Sequence, residues 1–202
     1  MVDEGTVYAL ILSFSIWLLP IFIREFRRDW QMILAYWFVL IFHQAIAFTN
    51  LYWFTTLGSD EDAIRFHLAA AKIAKLGEFN IVLGGAFYEN ILGTLYSLFG
   101  ISHMLGQQFS LLAFAISCIV LIKILPLLKL SYYRVPILLA FGALPSMVFL
   151  GSVTLRESYQ VLFFMLTTYF GIKMHMKGGV NKELVFFIIS ALAMGLFHKA
   201  LI

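Results

Sequence analysis

The sequence predicts an all-α protein: a polytopic transmembrane helical bundle of about six spans, with an external amphipathic helix and a further helix that is re-entrant or interfacial. Three observations predict this class. Hydrophobic residues fill 62% of the 202 positions and charged residues only 12%, where a soluble domain carries roughly a quarter. Mean hydropathy is +0.92, and the apolar residues gather into seven long runs separated by polar segments. Lys and Arg are shared unevenly among those segments, as in chains whose orientation is set by basic loops. The 21 Phe, 9 Tyr and 4 Trp suit lipid-facing and interfacial positions, and a thinly spread net charge of +3 gives no footprint for nucleic acid. Cys118, the sole cysteine, excludes an intrachain disulfide, and its place in an apolar run says nothing of redox compartment.

In chain order, residues 6–23 form the first run, interrupted by Ser13, Ser15 and Pro20. Asp3 and Glu4 precede it and Arg24, Arg27 and Arg28 follow, the reverse of a cleaved signal peptide, so a retained first span is expected. Residues 32–54 form the second, with His43, Gln44 and Asn50 inside it. An external loop, 55–105, then opens on a polar island, GSDEDAIRFHLAAA at 58–71. At about 100° per residue, Glu61, Arg65 and Lys72 share one stripe while Ala63, Phe66, Ala70, Ile73 and Ala74 gather opposite, as on an amphipathic helix lying on a membrane. The run 86–101 is broken by Glu89, Asn90, Gly93 and Ser97, hence its reading as re-entrant or interfacial. The runs 109–128, 135–153, 159–172 and 184–202 follow, and about 20 apolar residues cross a bilayer's hydrocarbon core, so six of the seven read as spans. The 202 residues read as one transmembrane domain, and a last run without a polar flank makes the N-terminal part of a longer protein the expectation.

With the N-terminus outside, the cytoplasmic segments carry Arg24, Arg27, Arg28, Lys123, Lys129, Arg134, Lys173, Lys177 and Lys182, nine of the 14 basic residues. The outer surface then holds three polar groups distant in sequence: Asp60, Glu61, Asp62 and His67; Arg156 and Glu157; and His198 and Lys199. A helical bundle could bring them together.

Each group also has a purely structural reading. Ser59 and Asp62 fit a capping box, as do Thr154 and Glu157, and acids in a first turn suit the helix dipole. His67 falls on the apolar side of its helix, where a hydrogen-bonded structural histidine is common. Arg156, expected in the first turn of a helix, opposes the dipole unless an anion is present. A guanidinium beside free helix amides is a phosphate site, the alternative being a salt bridge to Glu157 or the Asp60 cluster. His198 and Lys199, near the end of an apolar run, face either a cavity or the interface.

These residues carry a resemblance. Asp62-Ala63-Ile64-Arg65-Phe66-His67 resembles the Asp-Ala-x-x-Tyr/Phe-His pattern in the first large external loop of membrane glycosyltransferases of the GT-C class, the superfamily of protein mannosyltransferases and aminoarabinose transferases. The segment 87–102, FYENILGTLYSLFGIS, is similar to that family's Tyr-x-x-x-Leu-x-x-x-Tyr-x-x-Phe-Gly-x-Ser stretch, and Pro145-Ser146, Ser152 and Leu155-Arg156-Glu157 to its Pro-Ser…Ser…Leu-Arg-Asp/Glu stretch. The resemblance covers residues 58–160. It implies a polyprenyl-phosphate-linked sugar donor, a glycan, lipid or protein acceptor, and the extracytoplasmic face of a bacterial inner membrane. Asp62, with Asp60 as second choice, would be the catalytic carboxylate and Arg156 a contact to the lipid phosphate, with His67, Glu157, His198 and Lys199 as further substrate contacts. The family's large soluble C-terminal domain and many of its spans are missing from the sequence. No cofactor is required, and a divalent metal is left open. The alternatives are an O-antigen-type polymerase or ligase resting on Arg156 and His198, and a non-catalytic membrane subunit or transporter half. No P-loop, zinc-ligand spacing or Gly-x-Ser-x-Gly elbow occurs, which removes soluble-type NTPases and hydrolases.

Overall fold

The computed structural model describes residues 3–54, 61–79, 83–177 and 182–197. Among them are ten α-helices and no strand: α1 (Glu4–Phe22), α2 (Arg24–Arg27), α3 (Trp30–Tyr52), α4 (Glu61–Leu76), α5 (Gly85–Phe99), α6 (His103–Leu127), α7 (Arg134–Ala143), α8 (Pro145–Ser152), α9 (Glu157–Lys177) and α10 (Lys182–Phe197). By length and composition α1, α3 and α6 can each cross a membrane, and the bent pair α7–α8 makes up to four spans, fewer than the six read from the sequence. The run 135–153 is not one straight span. It breaks at Leu144, where Pro145 disfavours helical backbone in the residue before it, and the two halves bend by 66°. Helix α9, 21 residues or about 31 Å long, is long enough to span, but Gln160, Thr167, Thr168, Lys173 and His175 leave it too polar to qualify. Helix α10 has 16 described residues. The 15 residues of α5 extend about 22 Å, short of a hydrocarbon core of about 30 Å.

Helix α6 is the axis. It begins at His103, six residues before the apolar run that announced it, and packs against α1, α3, α7, α8 and α9. Helix α6 shows no polar stripe that would mark a water-facing side, and 18 of its 25 residues are buried within the bundle. Around its first half lies a core of Phe66, Tyr88, Leu92, Tyr96, Leu105 and Phe197; around its middle lies a second, with Tyr36, Leu40, Leu111, Phe114, Cys118 and Ile122. One buried polar group of α6 finds its partners on the neighbouring helices. Gln108 and Gln44 of α3 exchange two amide hydrogen bonds (2.9 and 3.0 Å), and Gln44 also donates to Ser13 Oγ of α1 at 2.9 Å.

Backbone groups freed by helix breaks are satisfied in the same way. Pro20 has no N–H for the Ile16 carbonyl, and the Tyr36 hydroxyl donates to that carbonyl at 3.0 Å, while Trp37 Nε1 donates to the next one, Trp17. The break at Leu144 frees the Gly142 carbonyl, and His43 Nε2 donates to it at 3.1 Å. This fixes the proton of His43 on Nε2 and leaves Nδ1 facing Ser152 Oγ at 3.3 Å. Gly151 permits the approach: a Cβ there would stand 2.8 Å from His43 Nδ1.

The Gln44–Gln108 pair yields a test. Gln44→Leu or Gln108→Leu alone leaves a buried amide unpaired and costs about 1–3 kcal/mol, whereas the double variant recovers part of that loss. Denaturation of the four proteins in one detergent measures the coupling; strictly additive losses would show that the amides do not act as a pair.

Candidate functional site

The polar groups of the molecule collect where α4, α5, the start of α6, the α8–α9 turn and the end of α10 meet. Helix α4 turns the face expected from its periodicity inward: Ala63, Phe66 and Ala70 are buried, and Glu61, Arg65 and Lys72 line a surface groove on the other side. Phe66 meets Tyr88 of α5 edge-on, and Ile73 packs against Gly93. The end of α10 closes over this hairpin. The Leu196 carbonyl accepts from Gly84 N–H at 2.8 Å, and Phe197 stacks on Tyr159 and contacts Phe87 and Tyr88. Three segments distant in sequence therefore converge.

Arg156 sits at the centre of this convergence. Its carbonyl accepts from Tyr159 and Gln160, so it occupies the N-cap of α9 rather than the first turn. Its Nη1 lies 3.5 Å from where a Cβ on Gly85, the first residue of α5, would stand. Gly84, the N-cap of α5, supplies no side chain to cap that helix. The guanidinium thus lies beside the positive ends of two helices, opposed by Glu157, whose Oε1 accepts from Arg156 Nε at 3.2 Å. Glu157 Oε2 is buried with no partner. Burial chiefly, then the Glu157 charge, raises the Tyr88 phenol above its ordinary value. The Thr154–Glu157 capping box does not form: Thr154 Oγ1 is buried and unpartnered, because the helix starts at Glu157 and Glu157 turns to Arg156.

Asp62 is placed differently. Its carboxylate pairs with Arg65 at 3.1 Å on the exposed side of α4, and the two side chains are 57% and 61% exposed. Asp62 and Arg156 are each paired within their own segment, not with each other. Asp60, His198 and Lys199 lie outside the described residues, as does Ser59 of the first capping box.

His67 points inward. Its Nδ1 is 2.8 Å from the Tyr96 hydroxyl, and its ring lies 4.8 Å from that of His103, tilted by 30°. Burial lowers the pKa of His67, so its neutral form is favoured at neutral pH. His67 and His103 line a cavity of about 360 Å³ with Asp3, Thr6, Tyr52 and Ser102. Gly5 and Gly100 allow this corner to close, since a Cβ on Gly5 would stand 2.7 Å from the Gly100 carbonyl oxygen. The Ser102 hydroxyl bonds Thr6 Oγ1 at 3.1 Å instead of capping α6. The Tyr96 hydroxyl and Thr154 Oγ1 approach the same point on Gly106, at 2.7 and 3.1 Å from its Cβ position, which links the cavity to the Arg156 turn. Sequence reasoning did not single out His103 or Asp3 for this corner. The available signal was an ionisable residue opening an apolar run directly after Gly100-Ile101-Ser102. A second groove of about 690 Å³, lined by Trp30, Leu34, Phe38, Ile41 and Leu139, is apolar and suits lipid. Among the described residues no three of His, Cys, Asp and Glu converge where a metal ion could sit.

Fold and site together define an all-helical protein with membrane-spanning helices and a polar junction at one end of the bundle. No family model, curated protein or solved structure matches the chain.

Thr154 offers a direct test of the junction. Its hydroxyl is buried without a partner, so Thr154→Val, equal in shape, is expected to stabilise the protein by about 1–2 kcal/mol. A lower unfolding midpoint in the variant would show that the hydroxyl has a partner.

Proposed function

We propose that the chain is a membrane glycosyltransferase that moves a sugar from a polyprenyl-phosphate carrier to an acceptor hydroxyl at the extracytoplasmic face of a bacterial inner membrane. In this reading α9 and α10 are the remaining spans and the N-terminus lies outside. The observation that carries the proposal is the setting of Arg156: a guanidinium beside the N-terminal ends of α5 and α9 suits a lipid phosphate. The acceptor oxygen attacks the anomeric carbon, the bond from that carbon to the phosphate oxygen breaks, and the departing phosphate keeps the electron pair. Arg156 balances the charge on the leaving phosphate, while Asp62, or Asp60 beside it, takes the acceptor's proton as general base. His67, Glu157, His198 and Lys199 are the further substrate contacts.

With a polyprenyl-phosphate sugar as donor, Arg156→Ala is expected to lower transfer by about 10²–10³-fold and Asp62→Asn by about 10²–10⁴-fold, with both proteins still inserted. The pairing of Asp62 with Arg65 favours a second reading, an O-antigen-type polymerase or ligase that rests on Arg156 and His198. Full transfer by Asp62→Asn together with loss in Arg156→Ala would select it. Full transfer by both variants would leave a non-catalytic subunit.

The orientation is tested separately. Cys118 is buried, so single cysteines introduced at Asp62 and Lys173 can be read against a silent background. An impermeant maleimide applied to intact spheroplasts is expected to label Asp62→Cys and not Lys173→Cys, and the opposite pattern removes the proposed face.

A further inference from the structure

We propose that His67 and His103 form a two-imidazole site for a borderline divalent transition-metal ion, zinc being representative, in the cavity between the starts of α1 and α6 and the inner face of α4. With metal–nitrogen bonds of about 2.0–2.1 Å and an angle near tetrahedral, two imidazoles sharing one ion have ring centroids about 5 Å apart. The two rings are 4.8 Å apart.

The surroundings of His67 suit a metal ligand, and those of His103 leave one nitrogen unsatisfied. A metal-ligating histidine almost always hands its other ring N–H to an acceptor that fixes its tautomer. With its proton on Nδ1, His67 donates to Tyr96 Oη at 2.8 Å and leaves the Nε2 lone pair free. His103 Nε2 is buried with no hydrogen-bond partner. An ion bound through the two Nε2 atoms would satisfy it. Asp3 lines the same cavity, and one of its oxygens already accepts the Thr6 N–H at 2.6 Å. Its charge offsets the positive end of α6, which by itself opposes a cation.

The absence of a convergent third ligand among the described residues sets the kind of site. Two protein ligands leave the other positions to water or an oxygen-donor ligand, one protein ligand fewer than an open catalytic zinc site and two fewer than a closed structural one. Affinity near micromolar, about −8 kcal/mol, is expected rather than the tighter binding of a four-ligand cage. None of this depends on the glycosyl chemistry proposed above.

Isothermal titration of Zn²⁺ into the full-length, EDTA-stripped protein in detergent tests the site. One ion per chain is expected, with Kd raised at least tenfold in His67→Ala and in His103→Ala, about tenfold in Tyr96→Phe, and unchanged in Asp62→Asn. Lack of saturable binding to about 1 mM Zn²⁺, or binding that neither histidine variant alters, would show that the rings only pack against each other and any ion is adventitious. Cu²⁺ electron paramagnetic resonance on the unsubstituted protein gives the answer even if the variants misfold. Hyperfine splitting from two nitrogens is expected, and splitting from one or none overturns the proposal.

Discussion

A helix buried on nearly all sides inside a membrane bundle has no water to turn to, and that constraint on α6 governs the packing around it. Each polar atom it carries has to be answered by a neighbour or left at a cost of about 1–3 kcal/mol. Gln108 is answered by Gln44, and Gln44 in turn by Ser13, so one amide pair fixes the register of α1, α3 and α6. Ser117 returns its proton to the Ala113 carbonyl of its own helix and fixes nothing further. The specific bonds hold neighbours to the axis; the apolar contacts between them would tolerate several registers.

The same constraint makes the breaks in the outer helices useful. Pro20 and Leu144 each expose carbonyls that a continuous helix would have satisfied, and α3 supplies a side-chain donor to both, Tyr36 to Ile16 and His43 to Gly142. Helix α3 is thereby pinned to α1 on one side and to the bent pair α7–α8 on the other. His43 also stacks on Phe114 of α6, at 3.8 Å between ring centroids, so the bend is locked to the axis through a single residue. A bend held in this way directs α8 and the turn after it toward the junction where Arg156 stands.

Much of this was legible in the sequence where the physics is local. The apolar face of α4 follows from the spacing of Ala63, Phe66 and Ala70, and the shortness of α5 from the polar residues that interrupt its run, whereas the break at Leu144 was hidden by the unbroken apolar run 135–153 around it. The start of α6 was not legible from hydropathy, because Gln107 and Gln108 look like loop residues until their burial is known. Nor was the placement of Glu157. The pattern Thr154-x-x-Glu157 satisfies the capping rule, but a cation next door competes for the carboxylate and wins, since an ion pair is stronger than a bond to a neutral amide. The approach of His67 to His103 is a tertiary fact with no local signature, 36 residues apart and on different helices.

The junction is poorly arranged for stability, and the magnitudes show it. A cation at a helix N-terminus is unfavourable by about 0.3–1 kcal/mol, and a partly exposed ion pair such as Arg156–Glu157 returns about the same amount. Against that near balance stand the buried, unpartnered atoms Glu157 Oε2, Thr154 Oγ1 and His103 Nε2, each worth about 1–3 kcal/mol. The Gln44–Gln108 pair between α3 and α6 carries no such cost, so the bundle satisfies buried amides where two of them meet. Gln107 Nε2, one residue from that pair, and Arg134 Nε at the start of α7 are also buried without a partner, so the junction gathers such atoms without being the one place that holds them.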